Sequence, residues 1–197
     1  MPPPPPPPPH PTSPPAPPPP PPAPPPSPPP PIFPQNNPTY AAGFATFRVT
    51  AADLDADGDT DLATANFGSD DVAVLLNNGD GTFAPQQTYA AGDGPLGRTA
   101  AVLDAGGHHD LATADLLSDD VSVLLNNGDG SFADQQTDAA GDSPWSVTAA
   151  DLDDDGDTDL ATANTASDDV SVLRNNGDAT FAPQQTYDAG WGPRSVT

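Results

Sequence analysis

From residue 39 onward the apolar residues fall in short runs set roughly ten positions apart, each bounded by Gly, Asn, Asp or Ser. The first set is Val49 to Ala52, Leu62 to Ala65, Val72 to Leu76 and Phe83 to Tyr89. Runs of this length between turn residues read as β-strands. No stretch places apolar residues at helical spacing, so helix content is expected to be near zero. Between the third and fourth runs, Asn78-Gly79 can supply the positive φ angles of a tight hairpin. The whole pattern then recurs: Thr39-Tyr40-Ala41-Ala42-Gly43 returns from Thr88, Thr137 and Thr186, each step 49 residues long and free of gaps. Ser-Asp-Asp-Val recurs at Ser69, Ser118 and Ser167, and Asn-Asn-Gly-Asp at Asn77, Asn126 and Asn175. Three full repeats thus span 39–87, 88–136 and 137–185, followed by a partial repeat, 186–197.

A four-stranded antiparallel unit of this length is the size of one propeller blade. The expected fold is therefore all-β, a β-propeller-type array of four-stranded antiparallel blades covering 39–197. The Ala-rich second strand, Ala63-Thr64-Ala65 and its copies, lets neighbouring backbones approach closely. Counting strands adds a fourth-type strand near Asn37 to Ala41 and a first-type strand at Pro193 to Thr197 to the twelve in the blades. The latter has no second strand after it, and an unpaired edge is a pairing template, so self-association through the terminal strands is expected.

Composition changes the picture at the amino terminus. Of 31 prolines, 26 lie in the first 38 residues. Such a run has fixed φ angles and almost no N–H donors, and reads as a polyproline II arm or linker over 1–38. Ser27-Pro28-Pro29-Pro30-Pro31 resembles the hydroxyproline-rich glycoproteins of plant and algal walls, which implies hydroxylated prolines and O-glycans, with Thr12, Ser13 and Ser27 as further acceptors. Every acidic residue is Asp and every basic one Arg, for a net charge of −24. That charge argues against nucleic acid and anionic membrane surfaces as partners and favours cations. No apolar run is long enough for a membrane span. The absence of Cys excludes disulfides and thiolate metal sites.

The cations have an evident destination. Between the first two strands of the first repeat lies Asp53-Leu54-Asp55-Ala56-Asp57-Gly58-Asp59-Thr60-Asp61, and the third repeat carries Asp151-Leu152-Asp153-Asp154-Asp155-Gly156-Asp157-Thr158-Asp159. So many like charges in one turn call for a hard cation, and Ca²⁺ takes six to eight oxygen ligands from a flexible loop. Gly at the sixth position permits the sharp turn. The loop is no EF-hand, because its twelfth position is Thr64 or Thr162 instead of Glu and no helices flank it.

With these residues in view, the sequence resembles the FG-GAP or VCBS repeats of integrin-type β-propellers, in which an Asp-x-Asp-x-Asp-Gly-x-x-Asp loop joins the first two strands of a blade and binds Ca²⁺. The resemblance covers 39–197. It implies carboxylate ligands Asp53, Asp55, Asp57 and Asp61 with the carbonyl of Asp59, and Asp151, Asp153, Asp155 and Asp159 with the carbonyl of Asp157. The middle repeat departs from the motif, reading Val102-Leu103-Asp104-Ala105-Gly106-Gly107-His108-His109-Asp110, so weak or no binding is expected there. His108 and His109 could ligate a transition metal but read better as a solvated turn. Trp145 and Trp191 could stack on a sugar, yet Leu96 and Arg194 stand one repeat from Trp145, as variable packing positions would. The Asp70-Asp71, Asp119-Asp120 and Asp168-Asp169 pairs recur with the repeat and read as turn residues, and no nucleophile triad or phosphate loop is present, so an enzyme is not expected. The expected function is an extracellular or cell-surface calcium-binding structural or adhesive β-repeat protein, of the kind that can self-assemble as a fibre subunit. The alternative is a carbohydrate- or protein-binding adhesin or lectin on a closed propeller.

Overall fold

The computed structural model describes residues 1–5 and 38–197, in which the chain divides into a unit Met1–Pro31 and a unit Ile32–Thr197. Most of the proline arm, and with it the polyproline II expectation, lies outside the described residues. Residues 1–5 carry no regular secondary structure.

The second unit holds twelve strands and, among the described residues, no helix. β1 (Thr46–Ala52), β2 (Asp61–Asn66), β3 (Asp71–Leu75) and β4 (Gln87–Ala90) form the first sheet. β5 (Pro95–Ala101), β6 (Asp110–Asp115), β7 (Asp120–Leu124) and β8 (Gln136–Ala139) form the second. β9 (Pro144–Ala150), β10 (Asp159–Asn164), β11 (Asp169–Leu173) and β12 (Gln185–Asp188) form the third. Each sheet is an antiparallel meander in sequence order, with the same register in every copy: Ala63 faces Val74, Ala112 faces Val123 and Ala161 faces Val172.

The sheets lie side by side as blades, β5 packing against β1 on one side and β9 on the other. Consequently the core sits between blades. Leu54, Val72 and Val74 of the first blade bury against Leu111, Leu124 and Phe132 of the second. Leu103, Val121 and Val123 of the second bury against Val147, Leu160 and Leu173 of the third. This explains the Ala-rich second strands: β2, β6 and β10 are covered on both faces, and small side chains let the sheets close up. The backbones of β5 and β9 come close at Gly97, where a Cβ would lie 2.6 Å from the Cα of Ser146.

Two expectations need correction. The Phe83–Tyr89 run is not one strand: Phe83 forms a lone bridge to Asn77, and β4 begins only at Gln87. Pro85 in between has no N–H to give to a ladder. The Asn78-Gly79 turn is correspondingly wider than a two-residue hairpin, closed by the Asn78 N–H donating to the Thr82 carbonyl at 2.9 Å, with Gly79 and Gly81 at φ 76° and 82°. Nor are the outer segments strands. Residues 38–41 and 193–197 join no ladder, the latter instead resting on the third blade, where the Val196 N–H donates to Ser146 Oγ at 3.1 Å and Arg194 lies over the Trp145 ring at 4.8 Å.

Candidate metal centres

The first acidic loop leaves β1 at Ala52 and enters β2 at Asp61. Its turn is made by two left-handed residues, Ala56 at φ 61° and Gly58 at φ 93°. The fold brings Asp53, Asp55 and Asp61 together, one carboxylate oxygen from each lying within 4.8 Å of the others. Asp61 is fully buried and spans the loop mouth, Oδ2 accepting the Leu54 N–H and Oδ1 the Asn77 N–H, both at 2.7 Å. Asp53 Oδ2 accepts the Gly58 N–H at 3.1 Å, while Oδ1 is buried with no partner. Desolvation first, and then the like charges of Asp61 and Asp57, push the Asp55 carboxyl above its ordinary range despite a backbone N–H bond that opposes the shift. A buried, unpaired carboxylate oxygen beside two further carboxylates is a donor set of hard oxygens that fits a hard cation.

The third-blade loop repeats this backbone, with Asp154 at φ 62° and Gly156 at φ 97°, and gathers Asp151, Asp153 and Asp159. Its surroundings differ in two ways. The loop is more exposed, and Arg174 Nε lies 3.6 Å from Asp153 Oδ2, a guanidinium already standing beside the cluster. Asp57 and Asp155 lie outside the two clusters; their Oδ1 atoms accept the N–H of Asp59 and Asp157 at 2.8 and 2.9 Å. The side chains of Asp59 and Asp157 turn over the neighbouring hairpin, where a Cβ on Gly79 or Gly177 would meet their Oδ2 atoms at 2.6 and 2.8 Å. Of the ten Asp residues singled out by the motif, six therefore gather, in two clusters of three.

The middle loop accounts for part of this arrangement. It lacks the left-handed fourth residue of the other two and forms no acidic cluster among the described residues. Yet Asp110 is as buried as Asp61, its Oδ2 accepting the Leu103 N–H at 2.9 Å and its Oδ1 the Asn126 N–H at 2.8 Å. The ninth-position Asp is thus a staple between loop and hairpin in every blade, with or without the rest of the motif, and Asp159 does the same for Leu152 and Asn175. Sequence reasoning assigned this carboxylate to metal alone; its survival at Asp110, where the first and fifth positions are lost, was the signal of its second role. His108 occupies the place of Asp59 over Gly128, and the His109 carbonyl accepts the Asn126 side-chain N–H at 2.9 Å. Both His residues are used as parts of the turn.

The recurrent Asp pairs also have structural partners. Asp70, Asp119 and Asp168 adopt φ of 54°, 58° and 60°, and their Oδ1 atoms accept N–H groups at Gly94, Ser143 and Gly192, which lead toward the next blade position.

The repeat and the fold have counterparts among known proteins. The FG-GAP-like repeat profile matches residues 53–107 and 103–162, more than half of the chain, and the chain belongs to this repeat family. No curated protein matches the sequence. Among solved structures, Kuenenia stuttgartiensis hydrazine synthase aligns at 17% identity with a TM-score of 0.55, over 81% of this chain and 40% of that one. BBS1N in complex with ARL6DN aligns at 15% identity with a TM-score of 0.56, over 79% and 48%. An Agrocybe aegerita protein that recognises non-reducing terminal N-acetylglucosamine aligns at 24% identity with a TM-score of 0.49, over 71% and 37%. The chain spans less than half of each, and what it shares with the first two is the fold, a propeller-like arrangement of four-stranded blades.

Proposed function

We propose that residues 39–197 form an extracellular, calcium-stabilised β-repeat module of structural or adhesive type, without catalytic activity. The observation that carries this reading is the meeting of Asp53, Asp55 and Asp61, with Asp53 Oδ1 buried and unpartnered. An all-oxygen set of three carboxylates in an irregular turn suits Ca²⁺ better than Mg²⁺, which demands near-octahedral geometry, and the lack of Cys disfavours softer metals. Extracellular loops bind Ca²⁺ at roughly 10⁻⁴ to 10⁻³ M, concentrations met outside cells. The non-catalytic half of the reading is supported by the conserved structural employment of each repeated Asp pair within this chain. The arm over 1–38 would serve as a stalk, O-glycosylated at Thr12, Ser13, Ser27 or hydroxylated prolines; intact-mass measurement of native material at the bare 19.9 kDa removes that part.

Calorimetric titration tests the calcium assignment. Two unequal sites are expected, the first-blade loop being tighter because the third has Arg174 at its edge. Replacing Asp53 and Asp55 by Asn should remove the tighter site, Asp104→Asn should leave stoichiometry unchanged, and Arg174→Leu should tighten the weaker site several-fold by removing the positive charge that stands beside Asp153. Zero sites, or three equivalent ones, contradict the assignment.

A further inference from the structure

Two of the four arginines meet in the seam between the first and second blades, and no carboxylate meets them there. Residues paired across a sheet share a face, as do residues two apart on a strand. Arg48 stands two residues before Thr50, which is opposite Ala63, and Ala63 belongs to the apolar cluster between these blades. Arg48 therefore faces the second blade. Arg98 stands two residues before Ala100, which packs against the same cluster, so it faces the first. Its side chain crosses the seam, Nε donating to the Ala63 carbonyl of the first blade at 3.3 Å, while Nη1 is buried with no partner. Burial, and then the charge of Arg48, lowers the Arg98 guanidinium to about 10. All 28 Asp lie among the described residues, and the one ion pair there is Arg174 with Asp153.

The second seam shows what the repeat otherwise places here. One repeat on, the counterparts of Arg48 and Arg98 are Gly97 and Val147. Gly97 lies against the β9 backbone and Val147 is buried in the apolar cluster of that seam, so the position is closed and uncharged. Two guanidiniums in the first seam bring a desolvation and repulsion cost that no carboxylate of the chain offsets. A guanidinium donates as a planar fork to paired oxygens, and two such forks on opposite walls can hold one oxyanion between them. Two positive charges are balanced by a dianion and only half balanced by a carboxylate. We infer that the seam between the first two blades is an oxyanion site at Arg48 and Arg98, taking an inorganic dianion of the sulfate or hydrogenphosphate type. An anion bound there accepts from Arg48 of the first blade and from Arg98 Nη1 of the second, and so ties the two blades together. The site has a blade on either side, and Arg48 stands toward the end of β1 away from the acidic loop, which leaves the strand at Ala52. It is therefore separate from the calcium reading.

Calorimetric titration of the full chain with sodium sulfate, in chloride buffer containing Ca²⁺, tests the inference. One sulfate per chain is expected. Arg98→Val installs the residue that the equivalent position holds in the first and third blades, Val49 and Val147, and should abolish binding. Arg48→Ser, matching Ser146 of the third blade, should weaken it roughly tenfold or more. Acetate, with a single charge, should bind the wild type at least about tenfold more weakly than sulfate. Melting gives a second readout. Sulfate stabilises folded proteins in general, so the variants supply the baseline: wild-type Tm should rise along a saturating curve, that of Arg98→Val only in proportion to sulfate. A wild type that binds no sulfate, binding that survives Arg98→Val, or acetate bound as tightly as sulfate overturns the inference. Should Arg98→Val not fold, an affinity unchanged in Arg48→Ser overturns it as well.

Discussion

Asp115 closes β6 where β2 and β10 close with Asn66 and Asn164. In those blades the Asn amide donates to Asp71 or Asp169 Oδ1 at 2.6 or 2.7 Å. Asp115 cannot donate when ionised. Its carboxylate instead accepts from Thr113 Oγ1 at 2.8 Å and Ser122 Oγ at 2.6 Å, fully buried, with Asp120 the charged group facing it. Burial is the larger influence and pushes this carboxyl up to about 6, aided by the charge of Asp120 and opposed by the two hydroxyls. A raised carboxyl makes the folded state hold its proton where the unfolded chain has released it. The stability it confers is complete below the ordinary carboxylate range and is lost as pH rises through about 6. Asp115→Asn should therefore match the wild type near pH 4 and exceed it above pH 6 by on the order of 2–3 kcal/mol. Urea unfolding of both proteins across that range measures the difference; a gap that does not grow with pH contradicts it. The sequence displays the Asn-to-Asp change in the repeat but not the burial that gives it a consequence.

Each acidic loop is bound to its own hairpin by one carboxylate, and this separates fold from ligand. Asp110 satisfies two backbone N–H groups in a loop without a cluster. Removing it strands both, at about 1–3 kcal/mol each when buried. Asp110→Ala should thus cost roughly 2–5 kcal/mol, equally with calcium and with chelator present, while Asp104→Ala in the same loop, whose carboxylate bonds only the exposed Gly106 N–H, should cost well under 1 kcal/mol. Chemical denaturation in the two buffers checks both. The strands themselves were legible because short apolar runs, turn residues and a strict repeat all agreed; the shortening of β4 was legible too, in Pro85, once the hairpin before it is seen to close at Asn77 and Phe83.

Because the apolar clusters lie between blades, no blade has a core of its own, and the three are expected to unfold together. Ligand binding to any loop then stabilises the whole array by mass action. At ten times Kd, one site adds about 1.4 kcal/mol. Chelation should accordingly lower Tm by several degrees in a single transition, and re-addition of Ca²⁺ should restore it, with Mg²⁺ much less effective. Calorimetric melts with chelator, Ca²⁺ and Mg²⁺ decide; an unchanged Tm speaks against metal in either loop.

The amino-acid pattern by itself determined the blade: its four strands, its 49-residue period, its acidic turn and the defect in the middle copy all follow from local preference and repetition along one chain. Those are properties of neighbours in sequence, for which spacing is sufficient. What only the tertiary structure decided is which of those residues meet across blades. Asp61, Asp110 and Asp159 look alike in sequence, and their shared role as staples appears only where the hairpin folds back on the loop. Arg174, just past the end of β11, reaches Asp153, and Leu54 is buried under the second blade while Leu152 is half exposed. Burial, and with it the value of a charge or of an apolar face, depends on what lies on the far side of the sheet.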